Sequence, residues 1–140
     1  AGLYRESAAW LTRAKALFDA HAIPVPTITS GGTPDFRHAS QSTIATEHRP
    51  GTYIYMDRSQ VAAGAATFDD CALTVLATVV SRPTPDRAII DAGSKALTSD
   101  LLGLTGYGYV VEYPEAKITG LSEEHGMIDL SACAGKPAIG

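Results

Sequence analysis

The apolar residues change their period near residue 60, and that change requires two kinds of organisation placed end to end. Before it, Trp10, Leu11, Ala14, Leu17 and Phe18 recur at i, i+1, i+4, i+7 and i+8, one stripe of an amphipathic helix over residues 5–22. Pro24 and Pro26 end that helix, because the residue before a proline is driven out of the α region. Residues 25–29 then read as a short strand, irregular or at a sheet edge because of Pro26, and Ser30-Gly31-Gly32 closes it. Thr33-Pro34 reads as a helix N-cap followed by proline at the first helical position. A second strand is expected over residues 51–57, introduced by Arg49-Pro50. Helix, strand, glycine turn, short helix and strand together make an α/β arrangement.

After Gln60 the pattern is that of strands. Residues 71–81 are apolar and β-branched on both faces, as in a strand buried inside a barrel or sandwich. Further short strands are expected at 87–91, 109–113, 117–123 and 127–130. The turn Ala92-Gly93-Ser94, the loop of Gly103, Gly106 and Gly108 around Tyr107, and a tight loop at 82–86 separate them. The expected fold class is therefore α+β, with an α/β part in residues 1–57 and an antiparallel β domain in 58–140.

The chain has 140 residues, close to one ordinary domain. Its formal charge of −4 supplies no basic face for nucleic acid or an anionic membrane. No apolar run approaches the ~20 residues of a membrane span, and the first residues, Ala-Gly-Leu-Tyr-Arg-Glu, lack the pattern of a secretion signal. Two cysteines, Cys71 and Cys133, are too few for a disulfide framework and fit a reducing, cytoplasmic setting.

Ser30-Gly31-Gly32-Thr33-Pro34 is the local feature that bears chemistry. At the C-terminal end of a strand, glycines let backbone amides approach a ligand, and a helix N-terminus adds positive potential. With the Ser30 and Thr33 hydroxyls these make a phosphate cradle of the kind a β/α barrel holds. On local sequence alone the same residues also describe a plain glycine turn with a threonine cap, and only context raises the cradle above it.

Other reactive side chains have bland readings beside the chemical ones. Lys95 is either a carbonyl-bonding amine or a surface lysine pairing Asp91 or Asp100. His125 and Asp129 would share a strand face and, with Cys133, suggest zinc; alternatively His125 is a turn histidine between Glu124 and Gly126. His21, His38 and His48 have no partner pattern, Cys71 reads as a buried, inert thiol, and Tyr107 as a loop aromatic that packs on its own turn or faces a ligand. Asp69-Asp70 reads as a solvated turn.

Several blocks occur in order: Ser30-Gly31-Gly32-Thr33-Pro34, Arg49-Pro50-Gly51-Thr52-Tyr53, the stretch 70–81, the stretch 91–100, and Glu123-Glu124-His125-Gly126. This series resembles the C-terminal half of the D-threonine aldolase and D-serine dehydratase family, pyridoxal-phosphate enzymes with an alanine-racemase-like barrel and a β domain. The resemblance implies that residues 1–57 are the last part of a β/α (TIM-type) barrel, with 51–57 as its final strand. Residues 58–140 would be the antiparallel β-barrel or sandwich domain, cut short at its C-terminus. Ser30, Gly31, Gly32 and Thr33 match the family's phosphate-binding turn. The 91–100 segment and His125 would lie near a wall shared between subunits of a homodimer.

The family's Schiff-base lysine would precede this sequence, and its metal pair, His-x-Cys or His-x-Asp, would follow it; neither pair occurs here. The expectation is a piece of a longer, metal-activated (zinc or manganese) lyase acting on a small D-hydroxy amino acid. The piece alone would carry no catalytic or metal-ligating residue, would be inactive, and would depend on the missing segments of the same enzyme. The reading from another class is a non-enzymatic β module that binds a small anion or a protein partner.

Overall fold

Helix α1 (Gly2–Ala20) forms where the helical stripe predicts it. It ends on Ala22 in the left-handed region (φ 54°), with the Ile23 amide donating to the Phe18 carbonyl at 2.9 Å, so the last carbonyls are satisfied before Pro24. The stripe is largely open to solvent: Trp10 is 59% exposed and Leu17 63%, while Tyr4 near the start of the helix is buried. These elements belong to a computed structural model that describes residues 2–140. The chain divides into two compact units, Ala1–Leu73 and Thr74–Gly140, so the division falls later than the expected boundary at 57/58.

In the first unit, β1 (Thr29–Ser30) pairs in parallel with β2 (Glu47–His48), with Ser30 opposite His48. A 3-10 helix, Thr33–Gln41, crosses between them. The expected strand at 25–29 thus shrinks to its last residue plus Ser30; Pro24 and Pro26 cannot donate to a ladder. The expected strand at 51–57 is not formed. Its residues make a 3-10 turn at Thr52–Ile54 and a left-handed Met56 (φ 51°), and Asp57 then caps α2 (Arg58–Ala62). The Asp57 carboxylate accepts the amides of Ser59 (2.8 Å) and Gln60 (3.0 Å), a local alternative to strand pairing that overrides the β propensity of Tyr53, Ile54 and Tyr55. The strand leading into the second half is therefore Glu47–His48, just before Arg49-Pro50.

Asp70 accepts from the Thr67 amide (2.7 Å) and hydroxyl (2.9 Å) and closes the 3-10 turn Phe68–Asp70. Those two bonds, the amide first, hold the Asp70 carboxyl below its ordinary value. Both aspartates of the pair are exposed, as a solvated turn requires. The strand expected over 71–81 is corrected to β3 (Val79–Thr84). The residues before it run without a ladder, and Leu73 (70% exposed) and Leu76 (101%) face solvent rather than a core. Cys71 is half-buried, not buried. Desolvation, followed by the charges of Asp57 and Asp70, pushes its thiol up.

The second unit is built on an antiparallel sheet of order β3-β4-β6-β5, with β4 at Arg87–Ile90, β5 at Lys117–Leu121 and β6 at Gly126–Asp129. The tight loop at 82–86 is reduced to the hairpin turn Pro85-Asp86 between β3 and β4. Register places Ala88 opposite Ile128, and Ile128 opposite Ile118, so the buried residues of three strands line one face. Ile90, Ala92, Ala116, Leu130 and Cys133 complete that core. The strand expected at 109–113 is absent: Val110 and Tyr113 pack on the core from a turn closed by the Tyr113 amide on the Val110 carbonyl (3.2 Å). Mixed helix and sheet with segregated antiparallel strands is the α+β class.

Candidate phosphate-binding turn

The turn Ser30-Gly31-Gly32-Thr33 follows β1 directly. Gly31 lies at φ +76°, a conformation that glycine alone adopts without strain. A Cβ there would fall 1.9 Å from Cε1 of His48, so the imidazole occupies the space a side chain would need. Parallel pairing brings this about, since it sets Ser30 beside His48 and lets the Arg49 amide donate to the Ser30 carbonyl (3.2 Å).

Gly32, not Thr33, holds the N-cap position of the 3-10 helix, with Pro34 in its first turn. The Gly32 amide donates to Asp35 Oδ1 at 2.9 Å. His48 Nε2 lies 3.1 Å from the Gly32 carbonyl oxygen and 3.7 Å from Asp35 Oδ1. Thr33 is buried, and its Oγ1 accepts the Tyr53 amide at 3.0 Å; having found a backbone donor across the loop, it begins the helix rather than capping it. Asp35, His48 and Tyr53 are thus the neighbours of this turn that sequence reading passed over. Asp35 carries a local signal, an acidic residue three positions after the Gly32 N-cap, whereas His48 carries none because a long-range parallel register delivers it.

The remaining candidates do not converge on it. Lys95 is exposed and pairs with Glu124 (2.6 Å) and Glu123 (3.3 Å) rather than Asp91 or Asp100. Asp91 instead accepts the Thr78 amide, and Asp100 the Leu102 amide. His125 sits exposed in the β5–β6 turn, where its carbonyl accepts from the Ser122 amide (2.8 Å). Asp129 accepts the Ser131 amide, which holds its carboxyl low, and Cys133 is buried in the core. Among the described residues no group of three or more His, Cys, Asp or Glu is placed to hold a metal ion. Tyr107 packs against the core, with its amide on the Ile118 carbonyl (3.0 Å). His21 contacts the Leu17 carbonyl, and His38 contacts Gln41 and stacks at a tilt on Tyr4, with ring centroids 5.9 Å apart.

Solved structures of similar fold define the class. An alanine-racemase-like protein from Idiomarina loihiensis superposes with a TM-score of 0.72 at 26% identity, over 85% of this chain and 35% of that one. The D-threo-3-hydroxyaspartate dehydratase from Delftia sp. HT23 superposes with a TM-score of 0.80 at 29% identity, over 96% of this chain and 38% of that one. The fold is alanine-racemase-like. Residues 72–140 match the family described as "Putative serine dehydratase domain". A D-threonine aldolase of Arthrobacter sp. is 36% identical over 121 residues, 84% of this chain and 31% of that protein. The Delftia dehydratase is 34% identical over 135 residues, 89% of this chain and 35% of its own length. This chain belongs to the D-threonine aldolase and D-serine dehydratase family, and it spans about a third of the length of those curated relatives. No helix among the described residues is long and apolar enough to cross a membrane.

Proposed function

We propose that this chain is a segment from the C-terminal half of a pyridoxal-phosphate-dependent, metal-activated D-amino acid lyase of the aldolase or dehydratase type. In this reading it supplies the phosphate anchor and the β domain of a cytoplasmic homodimer acting on a small D-hydroxy amino acid. The observation that supports it is the turn itself: a left-handed Gly31 at the C-terminal end of a parallel strand, with a buried threonine opening the next helix. An anion suits these residues. Ser30 and Thr33 carry hydroxyl donors, and Thr33 Oγ1, while accepting from Tyr53, still has its own proton to give. The Gly32 amide would join them only on leaving Asp35. Ser30, Gly31, Gly32 and Thr33 would hold the phosphate; the bound cofactor's ring supplies electron withdrawal from the substrate Cα.

The metal is a different matter. The described residues offer no ligand set, so its ligands are assigned to a His-x-Cys or His-x-Asp pair elsewhere in the enzyme. A metal-free form of the dehydratase similar to this chain has been solved, which supports a metal in enzymes of this type.

Reading the native gene from end to end and reconstituting its product with pyridoxal phosphate tests the proposal. Expected are an upstream lysine block, a downstream metal pair and the cofactor's visible absorbance band. Ser30→Ala should weaken cofactor binding by about tenfold or more, since a hydrogen bond to a charged group contributes about 1.5–3 kcal/mol. A product that never acquires the band refutes the reading.

A further inference from the structure

We infer that His48 is a positioning residue for the phosphate-binding turn, an inference that rests on the function proposed above. A carbonyl oxygen can only accept, so the 3.1 Å contact between Gly32 O and His48 Nε2 requires the proton on Nε2 and fixes the orientation of the ring. The same residue is held on its other side, where the Gly32 amide, in the preceding peptide, donates to Asp35 Oδ1 (2.9 Å). The competing bond to Gly32 O, from the Asp35 amide, is long at 3.4 Å. The imidazole also fills the volume beside Gly31 that any side chain there would need, and its own side chain is only 16% exposed. Donation and packing from one ring therefore hold both glycines, which have no side chains with which to anchor themselves. Glycine is the residue with most conformational freedom to lose, so a turn of two glycines that must meet a ligand gains most from being ordered beforehand. His48 touches no reacting atom in this reading; it acts through Gly31 and Gly32.

The test compares the native gene product with H48Q, which keeps an N–H donor on a side chain of similar reach, and H48L, which keeps apolar bulk and donates nothing. Binding is read by equilibrium titration with pyridoxal phosphate and, separately, with inorganic phosphate. Thermal unfolding without either ligand and the substrate KM are read in parallel. H48L is expected to lose roughly tenfold or more in affinity for both probes, with H48Q within about threefold of wild type. KM for the amino acid at saturating cofactor should not change. H48L binding like wild type overturns the inference, and so does H48Q failing as badly as H48L, which would leave the ring as bulk alone. If H48L does not fold, H48N, whose amide is too short to reach Gly32 O, takes its place in the same comparison. A wild-type protein that binds neither probe overturns the proposed function itself and this inference with it, a result separate from any behaviour of the variants.

Discussion

Gly93 is hemmed in by main chain. A Cβ on it would lie 2.4 Å from the carbonyl oxygens of both Ser122 and Glu123, the acceptors to which the amides of Ser94 (2.8 Å) and Lys95 (3.2 Å) already donate. Backbone cannot rotate aside as a side chain can, so Gly93→Ala must part the 92–95 turn from the β5–β6 hairpin. The expected cost is about 1–3 kcal/mol, as for other overpacked sites. Gly51→Ala is the contrast, because its Cβ meets open space and its φ of −124° is ordinary, so it should stay within about 0.5 kcal/mol of neutral. Thermal unfolding of the two variants decides: equal midpoints would refute the packing account of Gly93. At this scale the sequence was informative wherever a residue's role is local. Gly31 announces a turn because its left-handed backbone favours glycine, and Asp69-Asp70 announces a polar one. His48 announces nothing, since its contacts come from a strand pairing that no neighbouring residue encodes. Lys95 was misread for the same reason: Glu123 and Glu124 reach it across the fold, whereas Asp91 and Asp100 are merely near in sequence.

Elements with a strong period of their own were legible, and those that take their conformation from partners were not. Helix α1 follows its stripe, and β4, β5 and β6 follow their alternation into one core face. Residues 71–78 illustrate the other case. Their apolarity on both faces suits a strand flanked on both sides, yet β3 pairs only from Val79 and has β4 as its one ladder neighbour. Without neighbours the same residues form no strand, and Leu73 and Leu76 are left facing solvent. The stripe of α1 carries the same lesson and gives a measurable outcome. Trp10 is the sole tryptophan, more than half exposed, with the Arg13 guanidinium 4.5 Å from its ring centroid. Its emission in the 140-residue chain should be that of solvated indole, and acrylamide should quench it nearly as well as free indole. Emission shifted to the blue with weak quenching would show that something covers the stripe in solution.

Across the whole chain, apolar burial is unevenly shared. Of the described apolar residues that are buried, Ala88, Ile90, Ala92, Ala116, Ile118, Ile128, Leu130 and Cys133 lie in Thr74–Gly140, and Ala1–Leu73 holds Tyr4 and Ala65. Fixing each residue's backbone costs about 1–2 kcal/mol of conformational entropy, and burial must offset it. The second unit has a four-stranded sheet with a filled face; the first has a two-stranded parallel sheet of two residues a strand, below what stands alone in water. Local opening free energies should differ accordingly between the two units. Hydrogen exchange on the 140-residue chain should find its slowest amides in β4 and β6, at Ala88, Ile89 and Ile128, and fast exchange across residues 27–49, the phosphate-binding turn included. In the longer enzyme proposed here, the same turn should become protected, more so with pyridoxal phosphate bound. Protection over residues 27–49 equal to that of β4 in the chain by itself would mean that the first unit is self-sufficient. It would remove the physical reason for expecting the turn to be ordered by the rest of an enzyme.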